Sequence, residues 1–488
     1  MRLMRFAAVS DRVFVCLAFL SAALPALARA DEPQPTTPSL YVEGYTDQLS
    51  YAPGDTVEFH VSTTAPKWSL EIARLGATSE KVLTKEDLPG AAYPVPPNAS
   101  SHGCGWPASF TLKIPQDWKS GYYDCVLSVD DNGGEFTERN RRTAESRMFF
   151  VVRSAKPGKN SKILLQLATN TYNAYNNWGG HSLYAFHARN KLQGVRVSFD
   201  RPLAGQFRNW ELPFVAWAER NKIALDYAVN SDLEFRPELL KHYKLVLSVG
   251  HDEYWSTPMR DHLEAYIGDG GNVAFFSGNT CCWQVRSEAE GRQLVSYKQA
   301  FNLDPLFPSG DHRLLGTLWS HHLVARPENE LTGVGFLHGG YHRSHGQYMD
   351  GAAAFSVHRP EHWVFAGSGL KAGEAFGGKN TIVGYECDGC EFEMKDGLPT
   401  PTHRDGTPET FTILGTCPAR WHPDDALWYD RFPRDETGAP AQGHAVMGLY
   451  TRGGTVLTVG TTDWAHGLKG EDPVVERITK NILERLAK

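Results

Sequence analysis

Long apolar runs are scarce in this chain of 488 residues. Past Leu24 none reaches the roughly 20 residues that a membrane-crossing helix needs, so no span is expected there. Excess positive charge is missing as well: Lys+Arg 49 against Asp+Glu 56 leaves a formal net charge of −7, which argues against nucleic acid or an anionic bilayer as a partner. No Gly-x-Gly-x-x-Gly follows a strand-like run, which removes the dinucleotide fingerprint and weakens a redox reading. Cysteine is sparse, with 8 in all, and Cys387-Asp388-Gly389-Cys390 has no second Cys-x-x-Cys to complete a zinc site.

What is present starts with a leader. Arg2, Arg5 and Arg12 flank an apolar run over 13–24, and Ala28-Arg29-Ala30 supplies a small-x-small cleavage site. This is the pattern of a secretory signal over residues 1–30, so the chain is expected to be exported, periplasmic or secreted, and to begin near Asp31 once processed. Export permits disulfides. Setting Cys16 aside leaves an odd number of thiols; Cys104 with Cys125 is one candidate bridge, and Cys387 and Cys390 read as structural.

Periodicity sets the domain organisation. After a linker at 31–39, residues 40–153 alternate: Val57, Phe59 and Val61 follow the turn Pro53-Gly54-Asp55, then come Leu70 and Ile72, then Phe110, Leu112 and Ile114. Period-two apolar positions between turn signals predict an immunoglobulin-like β-sandwich. A linker at 154–161, with Pro157-Gly158, marks a change of pattern. Over 162–488, strands expected at 163–168, 223–229, 244–249 and 272–276 alternate with helices expected at 210–221 and 233–243. The expectation is an α/β domain with a doubly wound, mostly parallel sheet. Beyond Gln284 irregular insertions are expected, with further strands at 381–385, 447–450 and 455–460. Val474, Ile478, Ile482 and Leu486 mark one face of a closing helix.

In such sheets ligands collect at the carboxyl ends of the strands. Three segments are expected there. The first runs from Thr169 to Tyr184, the second is His251-Asp252-Glu253-Tyr254-Trp255, and the third is Ser277-Gly278-Asn279-Thr280-Cys281-Cys282-Trp283. Connectors so rich in Tyr, Asn and Trp suit a small-ligand pocket. Taken singly the residues say less: Tyr172, Tyr254 and Trp255 read as pocket wall or core, and Ser256 ahead of Thr257-Pro258 reads as a helix N-cap. No Cys or Ser stands at the bend after Val249, which argues against thioester chemistry there. His321, His322, His338 and His342 suggest a metal, although scattered histidines mostly need none.

The Ala174-Tyr175-Asn176-Asn177-Trp178-Gly179-Gly180-His181-Ser182-Leu183-Tyr184, Gly250-His251-Asp252-Glu253-Tyr254-Trp255-Ser256 and Ser277-Gly278-Asn279 segments resemble, in order and approximate spacing, the large (beta) subunit family of N,N-dimethylformamidase. The resemblance runs from about Lys162 onward. It implies a core similar to class I glutamine amidotransferases, and a hydrolase that cleaves the C–N bond of a small N-substituted amide at a mononuclear iron. It places metal ligands on Tyr175, Tyr184 and Glu253, with His251 and Asn279 in support. Phenolate and carboxylate are hard anionic donors that suit Fe3+, and a three-ligand metal keeps positions open for water and a carbonyl. His251 is then expected to relay a proton and Asn279 to meet the developing oxyanion. Thr461-Thr462-Asp463-Trp464-Ala465-His466-Gly467 resembles a further family motif, expected on the same rim. The resemblance also raises a small partner subunit, or a homo-oligomer, as the assembly. The competing class is a non-catalytic exported ligand-binding protein that keeps the pocket.

Overall fold

The structure is a computed structural model that describes residues 39–131, 142–344, 347–349, 351–422, 429 and 431–488. The leader at 1–30 and the linker up to residue 38 lie outside the described residues, and no described helix is long and apolar enough to cross a membrane.

The β-rich segment forms two sheets. Val42–Thr46, Thr56–Thr63 and Phe110–Lys113 pair antiparallel, and a five-stranded sheet runs Ser50–Tyr51, Arg142–Val152, Gly121–Asp131, Lys67–Leu75, Ser79–Pro89. Between them Val57, Phe59, Val61, Leu70 and Ile72 pack with Tyr123, Leu127 and Phe150. Side chains alternate across a strand, so the neighbours Tyr122, Phe149 and Val151 point the other way. There they join the core of the following segment, where Tyr122 stacks on Phe207 at 4.1 Å. Ion pairs Arg208–Asp124 (2.8 Å), Arg74–Glu219 (2.8 Å) and Arg153–Asp232 (3.3 Å) span the same junction. The central strands Gly121–Asp131 and Arg142–Val152 thus carry apolar side chains into a core on each face, and Leu40–Lys488 forms one compact unit.

A nine-stranded sheet organises the rest. Asp226–Val229, Ile163–Leu167, Leu245–His251, Asn272–Gly278 and Gly454–Thr458 lie parallel in that order; Gly443–Arg452, Thr412–Ala419, Phe355–Val357 and Ala375–Phe376 continue it antiparallel. The expected doubly wound, mostly parallel sheet is thereby corrected: the large sheet is mixed, and the smaller sheets are mixed or antiparallel. Parallel neighbours need a crossover of a dozen or so residues, usually a helix, whereas antiparallel ones need only a turn. Between Gly443–Arg452 and Gly454–Thr458 the chain supplies such a turn. Gly453, at φ 79°, folds Arg452 back onto Gly454, and a Cβ there would lie 2.4 Å from the Gly268 carbonyl.

Two further expectations change. The helix expected at 233–243 splits into Asn230–Phe235 and a 3-10 turn Pro237–His242, because Pro237 has no N–H for the continuing ladder. The strand expected at 381–385 is irregular, and the extended piece is Cys387–Gly389. The closing helix spans Pro473–Leu486 and buries Ile478, Ile482 and Leu486.

The expected disulfides are absent among the described residues. Cys104, Cys125, Cys281, Cys282, Cys387, Cys390 and Cys417 are free and buried. Cys104 and Cys125 belong to different apolar clusters, as do Cys387 and Cys390, and Cys281 and Cys282. Positions i and i+3 of an extended segment face opposite ways, which keeps the Cys-x-x-Cys pair apart. Alkylation in denaturant without reductant is accordingly expected to label all seven, and native protein to react slowly; peptide mass spectrometry showing a pre-formed bridge would contradict this.

Candidate functional site

Each parallel strand delivers its motif at its carboxyl end. Past Ile163–Leu167 the chain makes the seven-residue helix Thr169–Tyr175 and then a loop to Tyr184. That loop is folded around Arg201, which is buried and donates to the carbonyls of Asn176 (2.9 Å), Trp178 (2.5 Å) and His181 (3.1 Å). The bracket returns the chain so that the Tyr175 and Tyr184 rings lie 4.2 Å apart. Trp178 Nε1 also donates to Glu43 at 3.0 Å, tying the loop to the β-rich segment.

The strand Leu245–His251 runs through Gly250, whose φ of 82° and contact with Trp210 exclude a side chain. Glu253 follows, its backbone N–H held by Thr171 Oγ1 at 2.9 Å. Ser256 caps the next helix by accepting from Met259 N at 3.3 Å, as its sequence context implied.

Tyr184, Glu253 and His251 meet. The Tyr184 hydroxyl lies 2.8 Å and 2.9 Å from the two oxygens of Glu253. His251 Nε2 lies 3.3 Å from Glu253 and 2.7 Å from Glu386 Oε2. That second approach is close but poorly aligned, so neither Nε2 nor Oε2 completes a hydrogen bond. The Tyr175 hydroxyl interacts with those of Tyr184 and Tyr385, and its ring stands 5.6 Å from His251. The structure thus brings the phenol oxygens of Tyr175 and Tyr184 and the Glu253 carboxylate together. Asn279 does not join them: it sits buried at φ 49° with Oδ1 unpartnered, and among the described residues no hydrogen bond links it to Tyr175, Tyr184 or Glu253.

Sequence reasoning missed part of the cluster. Tyr254 is no mere wall: its hydroxyl donates to Tyr184 Oη at 2.7 Å and accepts from Lys298 Nζ at 2.9 Å. Lys298 is buried with its ammonium 3.5 Å above the Tyr184 ring and 4.6 Å from that of Trp283. Glu386 and Tyr385 come from an irregular stretch with no periodic signal. They are held in place by Thr462 and Asp463, whose motif was the available clue.

Burial and charge set the protonation states. Burial, reinforced by the Glu253 charge, raises the phenols of Tyr175 and Tyr184 well above their ordinary range. Burial works against a charged His251, yet Glu386 and Glu253 carry it up to about 10. Burial also opposes ionisation of Glu253, and the close approach and charge of His251 outweigh it, leaving Glu253 below its usual value. Burial pushes Lys298 down to about 8. His251 thus stands between the carboxyl groups of Glu253 and Glu386, with the half-buried rings of Tyr175, Trp210 and Tyr385 around it.

The other histidines go elsewhere. His321 stacks on His322 at 4.4 Å, and His342 Nδ1 meets the Pro418 carbonyl at 2.9 Å. Among the described residues no three His, Cys, Asp or Glu side chains are grouped to hold a metal ion.

Comparison with known proteins agrees with the motifs. The family model for the N,N-dimethylformamidase beta subunit-like, C-terminal region matches residues 69–479. The N,N-dimethylformamidase beta subunit of Alcaligenes sp is 22% identical over 433 residues, covering 79% of this chain and 55% of that protein. That of Paracoccus aminophilus is 23% identical over 456 residues, with 79% and 55% covered. The chain thus spans about half the length of these relatives. Among solved structures, a sporulation control protein from Bacillus subtilis overlaps 25% of this chain and 52% of its own at a TM-score of 0.17 and 15% identity, a likeness that carries no information on the fold. A match over most of the chain, running through all three motif-bearing strand ends, places this protein in the N,N-dimethylformamidase beta subunit-like family.

Proposed function

We propose that this chain hydrolyses the C–N bond of a small N-substituted amide, with N,N-dimethylformamide as the model substrate, at the Tyr175–Tyr184–Glu253 cluster. The observation that carries the reading is the convergence of the Tyr184 hydroxyl on both oxygens of Glu253, beside His251 and Glu386, in a chain whose relatives are named as that amidase's subunits.

A mononuclear ferric ion fits this donor set. Tyr175, Tyr184 and Glu253 are hard oxygen donors, and their buried phenols, which keep their protons without a cation, gain a reason to ionise beside one. Bound there, iron would supply Lewis acidity toward the amide carbonyl and an attacking water.

The chain's own residues do the rest. His251, held protonated between Glu253 and Glu386, is placed to give its proton to the departing amine and to be recharged by the one that water releases to the Glu386 carboxylate beside it. Asn279, at the end of the adjacent strand, is assigned the contact to the developing oxyanion. The half-buried rings of Tyr175, Trp210 and Tyr385 shield His251 from bulk water, which strengthens the electrostatics there. Lys298, through Tyr254, holds a positive charge next to the Tyr184 oxygen. The relatives' naming as beta subunits supports a multi-subunit assembly for this chain as well.

Metal analysis of purified protein together with a screen of formamides and acetamides tests the reading. About one iron per chain, a visible tyrosinate-to-iron band and turnover of N,N-dimethylformamide are expected. Protein without iron and without amide turnover would instead support the ligand-binding alternative.

A further inference from the structure

The motif Thr461-Thr462-Asp463 lies just beyond the strand Gly454–Thr458 and touches none of the proposed metal-binding side chains through its own side chains. Its contacts are to the stretch that bears Glu386. Thr461 Oγ1 donates to the Ile382 carbonyl at 3.0 Å. Asp463 Oδ2 accepts the Tyr385 N–H at 3.0 Å, and Thr462 Oγ1 accepts that of Glu386 at 3.3 Å. The Thr462 N–H donates back to the Glu386 carbonyl at 3.1 Å. Asp463 is itself oriented by Thr462 Oγ1, which donates to its other oxygen at 3.0 Å. Gly384 completes the fit, since a Cβ there would stand 1.7 Å from Asp463 Oδ2.

Residues 382–386 have no ladder of their own, so this clamp supplies the order that a strand would otherwise give. What the clamp presents is Glu386 Oε2, 2.7 Å from His251 Nε2, and the Tyr385 ring, 5.8 Å from the imidazole. We propose that Asp463 is a positioning residue for the active site, acting through the backbone of Tyr385 and Glu386 to set the carboxylate that faces His251. The carboxylate of Asp463 touches neither substrate nor metal ligand. Its effect on turnover is through the stretch bearing Tyr385 and Glu386, and this assignment rests on the amide-hydrolase reading above.

The test combines Asp463→Ala, Asp463→Asn and Gly384→Ala with Glu386→Gln. Two readouts are used: backbone hydrogen exchange of the peptide containing Tyr385 and Glu386, and steady-state turnover of N,N-dimethylformamide by the holoenzyme. Asp463→Ala removes a charge-assisted hydrogen bond and is expected to lower kcat by about 10- to 100-fold with KM within about twofold. Exchange of that peptide should accelerate while the rest of the chain is unchanged. Asn keeps an acceptor for the Tyr385 N–H and is expected to restore both readouts to within a few-fold. Gly384→Ala displaces the carboxylate without altering it, and should reproduce the Ala variant. In the Glu386→Gln background Asp463→Ala is expected to cost much less than in the wild type, because the carboxylate that the stretch presents to His251 is already gone. Equal losses in both backgrounds, failure of Asn to rescue, or unchanged exchange in Asp463→Ala would overturn the proposal. If wild-type protein turned over no amide, the hydrolase reading would fall, and exchange alone would decide whether Asp463 orders this stretch.

Discussion

Glu253→Gln is expected to leave a folded protein that has lost its iron and its amide turnover. The two oxygens of Glu253 both receive the Tyr184 hydroxyl, at 2.8 Å and 2.9 Å, and one also faces His251 at 3.3 Å. Glutamine keeps the shape but offers a single acceptor and no charge, beside a buried Lys298 and an imidazole that already carries Glu386. A neutral amide also contributes little to a hard trivalent cation. Outer ligands of metal sites cost 10- to 100-fold in affinity when removed, so loss of a direct anionic ligand should exceed about 100-fold. Tyr184→Phe is expected to match it, because the phenol oxygen disappears while the ring stays within the Lys298 and Tyr175 contacts. Tyr175→Phe should follow the same course. Plasma-emission metal analysis, with circular dichroism as the fold control, decides the matter. Iron retained at wild-type stoichiometry in all three variants would remove these residues from the metal site.

The three residues in that prediction were named by the motif resemblance; what the sequence itself offered was their place, because the segments bearing them follow strands with recognisable apolar runs. Leu245–His251 and Ile163–Leu167 are buried throughout, and such runs bounded by turns announce themselves in sequence. Tyr254 was visible too, but its role was not, since only a ring position 2.7 Å from another phenol distinguishes a hydrogen-bonded tyrosine from a packed one. Glu386 and Lys298 were hidden for a different reason. Glu386 sits on an irregular segment ordered by a motif 76 residues away in the chain, and Lys298 opens a short 3-10 turn at φ 51°. The antiparallel half of the large sheet was equally illegible. Its outer strands, Phe355–Val357 and Ala375–Phe376, have 3 and 2 residues, too few for alternation to register. A mostly parallel sheet was therefore the natural extrapolation from the first half, and it failed where Arg452 folds back onto Gly454 and the strands beyond pair antiparallel.

Beneath the site, Glu211→Gln is expected to stabilise the protein in mildly alkaline buffer and to change little in acid. Glu211 opens the helix Glu211–Arg220 and is completely buried; Oε1 receives the Tyr172 hydroxyl, and Oε2 has no partner. Burial raises its carboxyl from an ordinary 4.5 to about 7, with the Tyr172 hydrogen bond pulling the other way. The sign follows from proton counting. Between pH 4.5 and 7 the folded state holds a proton that the unfolded chain has released, so stability falls as pH rises through that interval and is flat on either side. At about 1.4 kcal/mol per pH unit, the full penalty at pH 8 comes to about 3 kcal/mol. Glutamine carries no such penalty, and its amide has both an acceptor for Tyr172 and a donor at the unpartnered position. Urea unfolding at pH 5 and pH 8 measures the difference, and other titrating groups cancel because they are common to both proteins. A gain of roughly 3 kcal/mol at pH 8 with less than about 1 kcal/mol at pH 5 is the expected pair of values. The same increment at both pH values would mean that Glu211 is ionised in the folded protein, with its burial offset by a partner other than Tyr172.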